Sequence, residues 1–288
     1  MILGAMQQQG GSGPSGMLPP VSTLPGIGGY EVLKDRQAEQ LQAFRKHPMM
    51  QRQAEEFRAK AASIDSVEDL MKDFNSYKLV LTAYGMEDQQ NAKALMRRVM
   101  EEGTLDPESL ANQMSDRRYR EFSRELGFGE GASGNFSDPE FIESTIDRFL
   151  VQRFEESVGE SNPAARRALY FERTIGKIDN WFQVMSDRPL FDVIRGALGL
   201  PEQIGMLDID RQRDMLESRL PLKELKENPE KVQETIQRFM ALEGSGPNQM
   251  PSTPATQLIA GATSPNGLLD PFSMTELMVN ASNMGMRR

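Results

Sequence analysis

Through the middle of the chain, apolar side chains return every three or four positions with polar ones between them. Ala92, Leu95, Met96, Val99 and Met100 fall at i, i+3, i+4, i+7 and i+8, which places them on one stripe of an α-helix. Met50, Ala54, Phe57, Ala61 and Ile64 form a second stripe, and Val232, Ile236, Phe239 and Met240 a third. No segment shows a sustained period of two, the mark of a half-buried strand. Four start signals agree with the stripes. Asp106–Pro107, Asp138–Pro139, Asn162–Pro163 and Asn228–Pro229 each set a capping side chain before a proline, and proline at the first helical position gives up no hydrogen bond. Gly85, Gly127 and Gly199 stand where stripes end, as left-handed C-terminal caps do. The pattern predicts an all-α fold.

The pattern also repeats. The run Ala54, Phe57, Ile64, Asp65, Leu70, Met71, Asp73 returns as Ala168, Phe171, Ile178, Asp179, Val184, Met185, Asp187. Here 168 less 54 and 187 less 73 both give 114, so no gap intervenes. The same offset carries Leu79, Val80, Ala83, Gly85 and Met86 onto Val193, Ile194, Ala197, Gly199 and Leu200. After a two-residue insertion, Val99 and Met100 meet Met215 and Leu216, and Phe122 and Leu126 meet Ile236 and Met240. A period this long is not that of a short-repeat solenoid. It predicts two pseudo-symmetric multi-helix units from an internal duplication, residues 30–128 and 129–243.

The flanks have another character. Residues 1–29 are rich in Gln, Gly, Ser and Pro with no charge, too poor in apolar surface to offset their ordering entropy, and are expected to form a disordered leader. Residues 244–288 read as a flexible tail. Residues 244–266 are rich in Ser, Thr, Pro and Gly, and a short apolar segment of Leu268, Leu269, Phe272, Met274, Leu277 and Met278 follows.

Charge and composition narrow the chemistry. The net charge of −9 repels phosphate backbones and anionic lipid, so nucleic acid is not an expected partner. No apolar run approaches the roughly 20 residues that cross a bilayer, and no basic segment precedes an apolar one as in a Sec signal peptide. With no cysteine and one histidine, His47 before Pro48, zinc sites of the common kinds and thiol nucleophiles fall away. His47 lacks an orienting partner nearby in sequence and reads as a helix cap or surface residue. Asp208, Asp210 and Asp214 lack the glycine-turned loop of a calcium site and read as the cap of the helix carrying Met215 and Leu216. The glycine-rich residues 127–134 follow a helix and contain no lysine, so they read as a linker between units rather than a phosphate loop. Trp181 shares a stripe with Val184 and Met185 and is expected in the core. Arg97–Arg98, Arg117–Arg118 and Arg166–Arg167 alternate with acids and read as solvated faces. Nineteen methionines suit adaptable contact surfaces as well as cores.

Two long motifs resemble a known family. Residues 101–129, EEGTLDPESLANQMSDRRYREFSRELGFG, look like one signature of an uncharacterised helical family encoded in bacterial flagellar gene clusters. Residues 197–220, ALGLPEQIGMLDIDRQRDMLESRL, look like its partner signature. Arg167, Ala168, Leu169, Tyr170 and Glu172, with Trp181, Phe182, Val184 and Met185, add to a likeness running from about Tyr30 to Met240. The resemblance implies a flagellum-associated protein without catalysis or cofactor, so it supplies no functional residues.

Three readings follow. The favoured one is a structural or accessory flagellar protein, not an enzyme, cytoplasmic or at the flagellum, whose partners are other flagellar proteins, with self-association into an oligomer allowed. Its candidate partner-binding residues are the six apolar tail residues, laid as a short helix into a groove. The runner-up is a cytoplasmic chaperone or regulator of flagellar export substrates. The third is an Asp/Glu-dependent hydrolase, which requires a pocket gathering carboxyls of raised pKa.

Overall fold

The computed structural model describes residues 18, 19, 21, 24, 26–130 and 134–243. Helix α1 (Gly26–Arg45) is followed by α2 (Pro48–Ala61), whose cap is His47: its Nδ1 accepts the Met49 N–H at 3.3 Å while Pro48 fills the first helical position. Ser66 caps α3 (Val67–Lys72) and Asp73 caps α4 (Phe74–Ala83). Helix α5 (Lys93–Glu102), the single turn α6 (Leu110–Gln113) and α7 (Arg117–Leu126), capped by Asp116, complete a first set of seven. Asp138 caps α8 (Pro139–Ser161), Asn162 caps α9 (Pro163–Thr174), Asn180 caps α10 (Trp181–Ser186) and Asp187 caps α11 (Arg188–Ala197). Asp208 caps α12 (Ile209–Arg219), and α13 (Leu222–Glu227) and α14 (Pro229–Glu243) close the second seven. The described residues contain fourteen α-helices and no strand.

Spans and burial recur at the spacing seen in the sequence. Helices α3 and α4 return as α10 and α11 with all four ends displaced by 114 residues (67 to 181, 72 to 186, 74 to 188, 83 to 197). Ala54, Phe57, Ile64, Leu70 and Val80 are buried, and so are Ala168, Phe171, Ile178, Val184 and Ile194. Gly85 and Gly199 end α4 and α11 at φ 68° and 62°, a conformation that side-chain-bearing residues resist.

The two sets are interleaved. Helix α1 belongs to the first but packs on α9 and α14 of the second, while α8 belongs to the second and packs on α2 and α4 of the first. Helices α1 and α8 also touch each other. One apolar core therefore runs through both sets, and the described residues up to Glu243 belong to one compact unit. Phe136, fully buried just before α8, marks the join. Its ring stacks on Phe128 at 5.3 Å and meets Phe141 edge-on at 5.2 Å and Phe57 at 6.3 Å. Each such pair adds about 1 kcal/mol beyond the area it buries. Among the described residues no helix is long and apolar enough to cross a membrane.

Two expectations change. Asp106–Pro107 does not open a helix: Asp106 accepts the Glu108 N–H at 2.9 Å in a turn, and α6 begins only at Leu110. An aspartate caps a turn as readily as a helix, and the following proline suits both. Residues 26–29 also differ from the expected disordered leader, because they open α1, and before them Val21 is buried with its N–H bonded to Ser157. The apolar tail residues Leu268, Leu269, Phe272, Met274, Leu277 and Met278 lie outside the described residues, as do residues 1–17.

Candidate functional site

The densest chemistry lies where the interleaved sets meet. The end of α4, with α7, α8, α9 and the cap of α11, encloses a groove of about 590 Å³ that includes Gly85, Arg118, Gln152, Tyr170 and Arg188 in its walls. A smaller hollow of about 200 Å³ shares Arg118, Gln152 and Tyr170 with it. Arg118 is held from two sides. Its Nε and Nη2 donate to Asp116 at 2.9 and 2.7 Å, and its Nη1 donates to the Gly85 carbonyl. Burial works against its charge, but Asp116 more than compensates and the guanidinium stays protonated.

Beside it, the Tyr170 hydroxyl donates to Asp187 Oδ2 at 2.6 Å, and Arg173 lies 5.4 Å from the Tyr170 ring. Arg173 makes a two-pronged contact with Glu155, at 2.8 and 3.0 Å. Burial and the Asp187 carboxylate push the Tyr170 phenol up, and burial also raises the Asp187 carboxyl. Arg148 covers the Tyr84 ring at 5.0 Å and pairs with Glu125 at 2.7 Å, while Arg117 bridges Glu121 at 3.1 Å and the Lys177 carbonyl at 2.5 Å. These cations and carboxylates engage each other two or three times over. Near Asp187, the carboxylate of Asp116 is clamped by Arg118. What the arrangement does is hold α4, α7, α8, α9 and α11 in fixed register through charge-assisted bonds.

The basic pairs read as solvated faces divide. Arg97–Glu101 and Arg98–Glu102 are i,i+4 pairs on α5, as read. Arg118 is half-buried in the seam, where α7, α8 and α9 line one hollow, and Arg167 lies over Phe239 at 5.1 Å. Asp208 does cap α12, accepting the Asp210 N–H at 3.0 Å, and Asp210 and Asp214 each pair with Arg213 at 2.9 Å. Trp181 is buried, with its Nε1 donating to Glu217. The glycine-rich stretch is more than a spacer. Gly129 lies so close to Gly103 that a Cβ on it would stand 2.2 Å from the Gly103 nitrogen.

A different kind of surface stands between α11 and α12. There Met206 is 86% exposed, Leu207 40% and Ile209 52%. The turn that carries them is anchored: Ile204 is buried beneath it, Asp208 caps α12, and Gln212 donates its amide to the Leu207 carbonyl at 2.8 Å. Arg213 lies over the half-exposed Phe182 at 5.7 Å, on the edge of a groove of about 610 Å³ that also involves Trp181, Glu217, Leu222 and Lys226. The sequence reading missed this lip, although a signal existed. Leu207 precedes the capping Asp208, where an apolar residue ordinarily staples to an apolar partner four residues into the helix; that partner position is Gln212.

Comparison with known proteins places the chain. Its fold is similar to the crystal structure of protein AGR_C_984 from Agrobacterium tumefaciens, with a TM-score of 0.68 and 30% sequence identity over 80% of this chain and 100% of that one. No curated protein matches the chain significantly. Residues 83–232 match the model of a protein of unknown function, DUF1217, and this region contains both of the long motifs and the Met206 lip. The chain belongs to the DUF1217 family.

Proposed function

We propose that the chain is a flagellum-associated structural or accessory protein that works by protein–protein contact and not by catalysis. The observation that carries the contact is the lip of Met206, Leu207 and Ile209, three large apolar side chains held toward water by a capped and anchored turn. An anchored turn that keeps apolar side chains exposed suits them for a partner's surface, because burial there removes them from water with little further ordering of the backbone. The flagellar part of the reading is supported by the likeness of residues 101–129 and 197–220 to the two signatures described above.

The two sets of seven helices belong to the same reading. With α3 and α4 displaced onto α10 and α11 without a gap, they are taken as copies of one unit, which would give the protein two related faces for a repeating or paired partner. Partners are then other flagellar proteins, and the protein sits at the flagellum or in the cytoplasm. Fractionation of motile cells with the tagged chain tests this. Co-sedimentation with basal bodies is the expected result. Recovery with unassembled export substrate would favour a chaperone instead, and recovery with neither would end both flagellar readings.

A further inference from the structure

The stretch before α1 meets the body at a place built from buried polar side chains. Ser157, 2% exposed near the end of α8, donates its hydroxyl to the Pro19 carbonyl at 2.6 Å and accepts the Val21 N–H at 3.1 Å. Asn162, 3% exposed, donates its amide to the Leu24 carbonyl at 2.9 Å and the Gly26 carbonyl at 3.3 Å, while its oxygen caps α9 through the Ala165 N–H. The Val21 side chain is buried and Leu18 packs against the core. Gly29 leaves room for this approach, since a Cβ there would stand 1.6 Å from the Leu24 carbonyl oxygen. Gly26, the first residue of α1, has φ 73° and is the pivot between this stretch and the helix.

The groups recognised are main-chain carbonyls and an amide, plus the apolar side chains of Leu18 and Val21, which flank two prolines in the sequence. That is the chemistry of a peptide cleft: main-chain bonds hold the segment and a pocket selects a side chain. Remove the segment, and the Ser157 hydroxyl and the Asn162 amide lose these partners. We propose that the cleft where α1, α8 and α9 meet is a binding site for a proline-flanked apolar segment, engaged in cis by Leu18, Pro19, Val21 and Leu24, and that its partner in trans is the same segment of a second copy. Exchange between copies recreates every bond named above, with Gly26 as the pivot, which makes this a low-cost route to a dimer. The inference is independent of the flagellar reading.

The test uses the full-length chain and a fluorescent peptide of residues 17–26, followed by anisotropy. A charge at position 21 cannot stay in the pocket, so Val21→Asp frees the cleft. The tethered wild-type segment competes at an effective concentration on the order of millimolar, so Val21→Asp should bind the peptide at least about tenfold more tightly than wild type. Adding Ser157→Ala should remove that binding. At high micromolar concentration the wild-type chain should show dimers by light scattering, and excess peptide should return them to monomers. A Val21→Asp chain that melts like wild type yet ignores the peptide overturns the cleft, as does equal binding by both. A chain that stays monomeric, or dimers indifferent to the peptide, overturns the second-copy assignment. If Val21→Asp fails to fold, Val21→Ala makes the same comparison with a smaller difference.

Discussion

Asp73 and Asp187 stand 114 positions apart and each caps the helix that follows, but the two carboxyls face opposite surroundings. Asp73 accepts from Lys60 at 2.7 Å and from the Ser76 hydroxyl at 3.1 Å, and Asp187 accepts from Tyr170 at 2.6 Å inside the seam. Partial burial pushes Asp73 up, but its bonds to Lys60 and Ser76 prevail and hold it below the usual carboxylate range. At Asp187 burial prevails, and the carboxyl is raised. Asparagine caps as well as aspartate, so Asp73→Asn and Asp187→Asn isolate the charge.

The two substitutions should show opposite pH dependence. The contribution of Asp187, raised on folding, is present below its unfolded pKa and lost as pH rises through its folded one. The contribution of Asp73, lowered on folding, is present above the ordinary carboxylate pKa and lost as pH falls through its folded value. On acidification from neutral pH, wild type should therefore gain stability relative to Asp187→Asn and lose it relative to Asp73→Asn. Chemical denaturation at stepped pH reads both trends, and a common sign would contradict the environments described.

Phe136→Ala should cost about 3–5 kcal/mol. The ring is fully buried between Phe57 of α2, Phe128 and Phe141 of α8, so truncation leaves a hole at the join of the two sets. Urea unfolding measures it. A loss below about 1 kcal/mol would mean that the join collapses around the gap or does not depend on this ring.

Arg173→Ala strands Glu155, whose side chain is only 6% exposed. Leaving a buried carboxylate unpaired costs about 3 kcal/mol, whereas Arg173→Met with Glu155→Leu should cost clearly less, because both charges go together. A double-mutant cycle of Arg173→Met, Glu155→Leu and the two together, read by thermal unfolding, decides it, and purely additive losses would show that the pair is not coupled.

Two glycine-to-alanine changes should have opposite signs. At Gly103, φ is 69° and a Cβ would stand 2.5 Å from the Gly129 carbonyl oxygen, so alanine should destabilise by more than about 2 kcal/mol. At Gly28, inside α1 with nothing within 4 Å, alanine should stabilise by up to about 1 kcal/mol. Melting curves of both variants are sufficient.

The helices were legible because local rules determine them. The stripes of α2, α5 and α14, the proline-led starts at Pro139, Pro163 and Pro229 and the glycine ends at Gly85, Gly127 and Gly199 all depend on neighbours within a few residues. The seam was not legible. Arg118 looks in sequence like any arginine on a charged helix, and its place in the seam follows only from α7, α8 and α9 lining one hollow. The crossing of Gly103 and Gly129 joins two loops, and Val21 finds Ser157 across 136 residues of chain. Pairings of that range leave no periodic trace.

The claim that partners are captured through the lip is tested most directly by Met206→Glu with Ile209→Glu in the full-length tagged chain. Both side chains already face water, so the double variant should melt within about 1 °C of wild type. In a pull-down from motile cells followed by mass spectrometry, wild type should retrieve flagellar proteins and the variant should lose them. Equal recovery by both chains, or a wild-type set without flagellar proteins, would contradict the account.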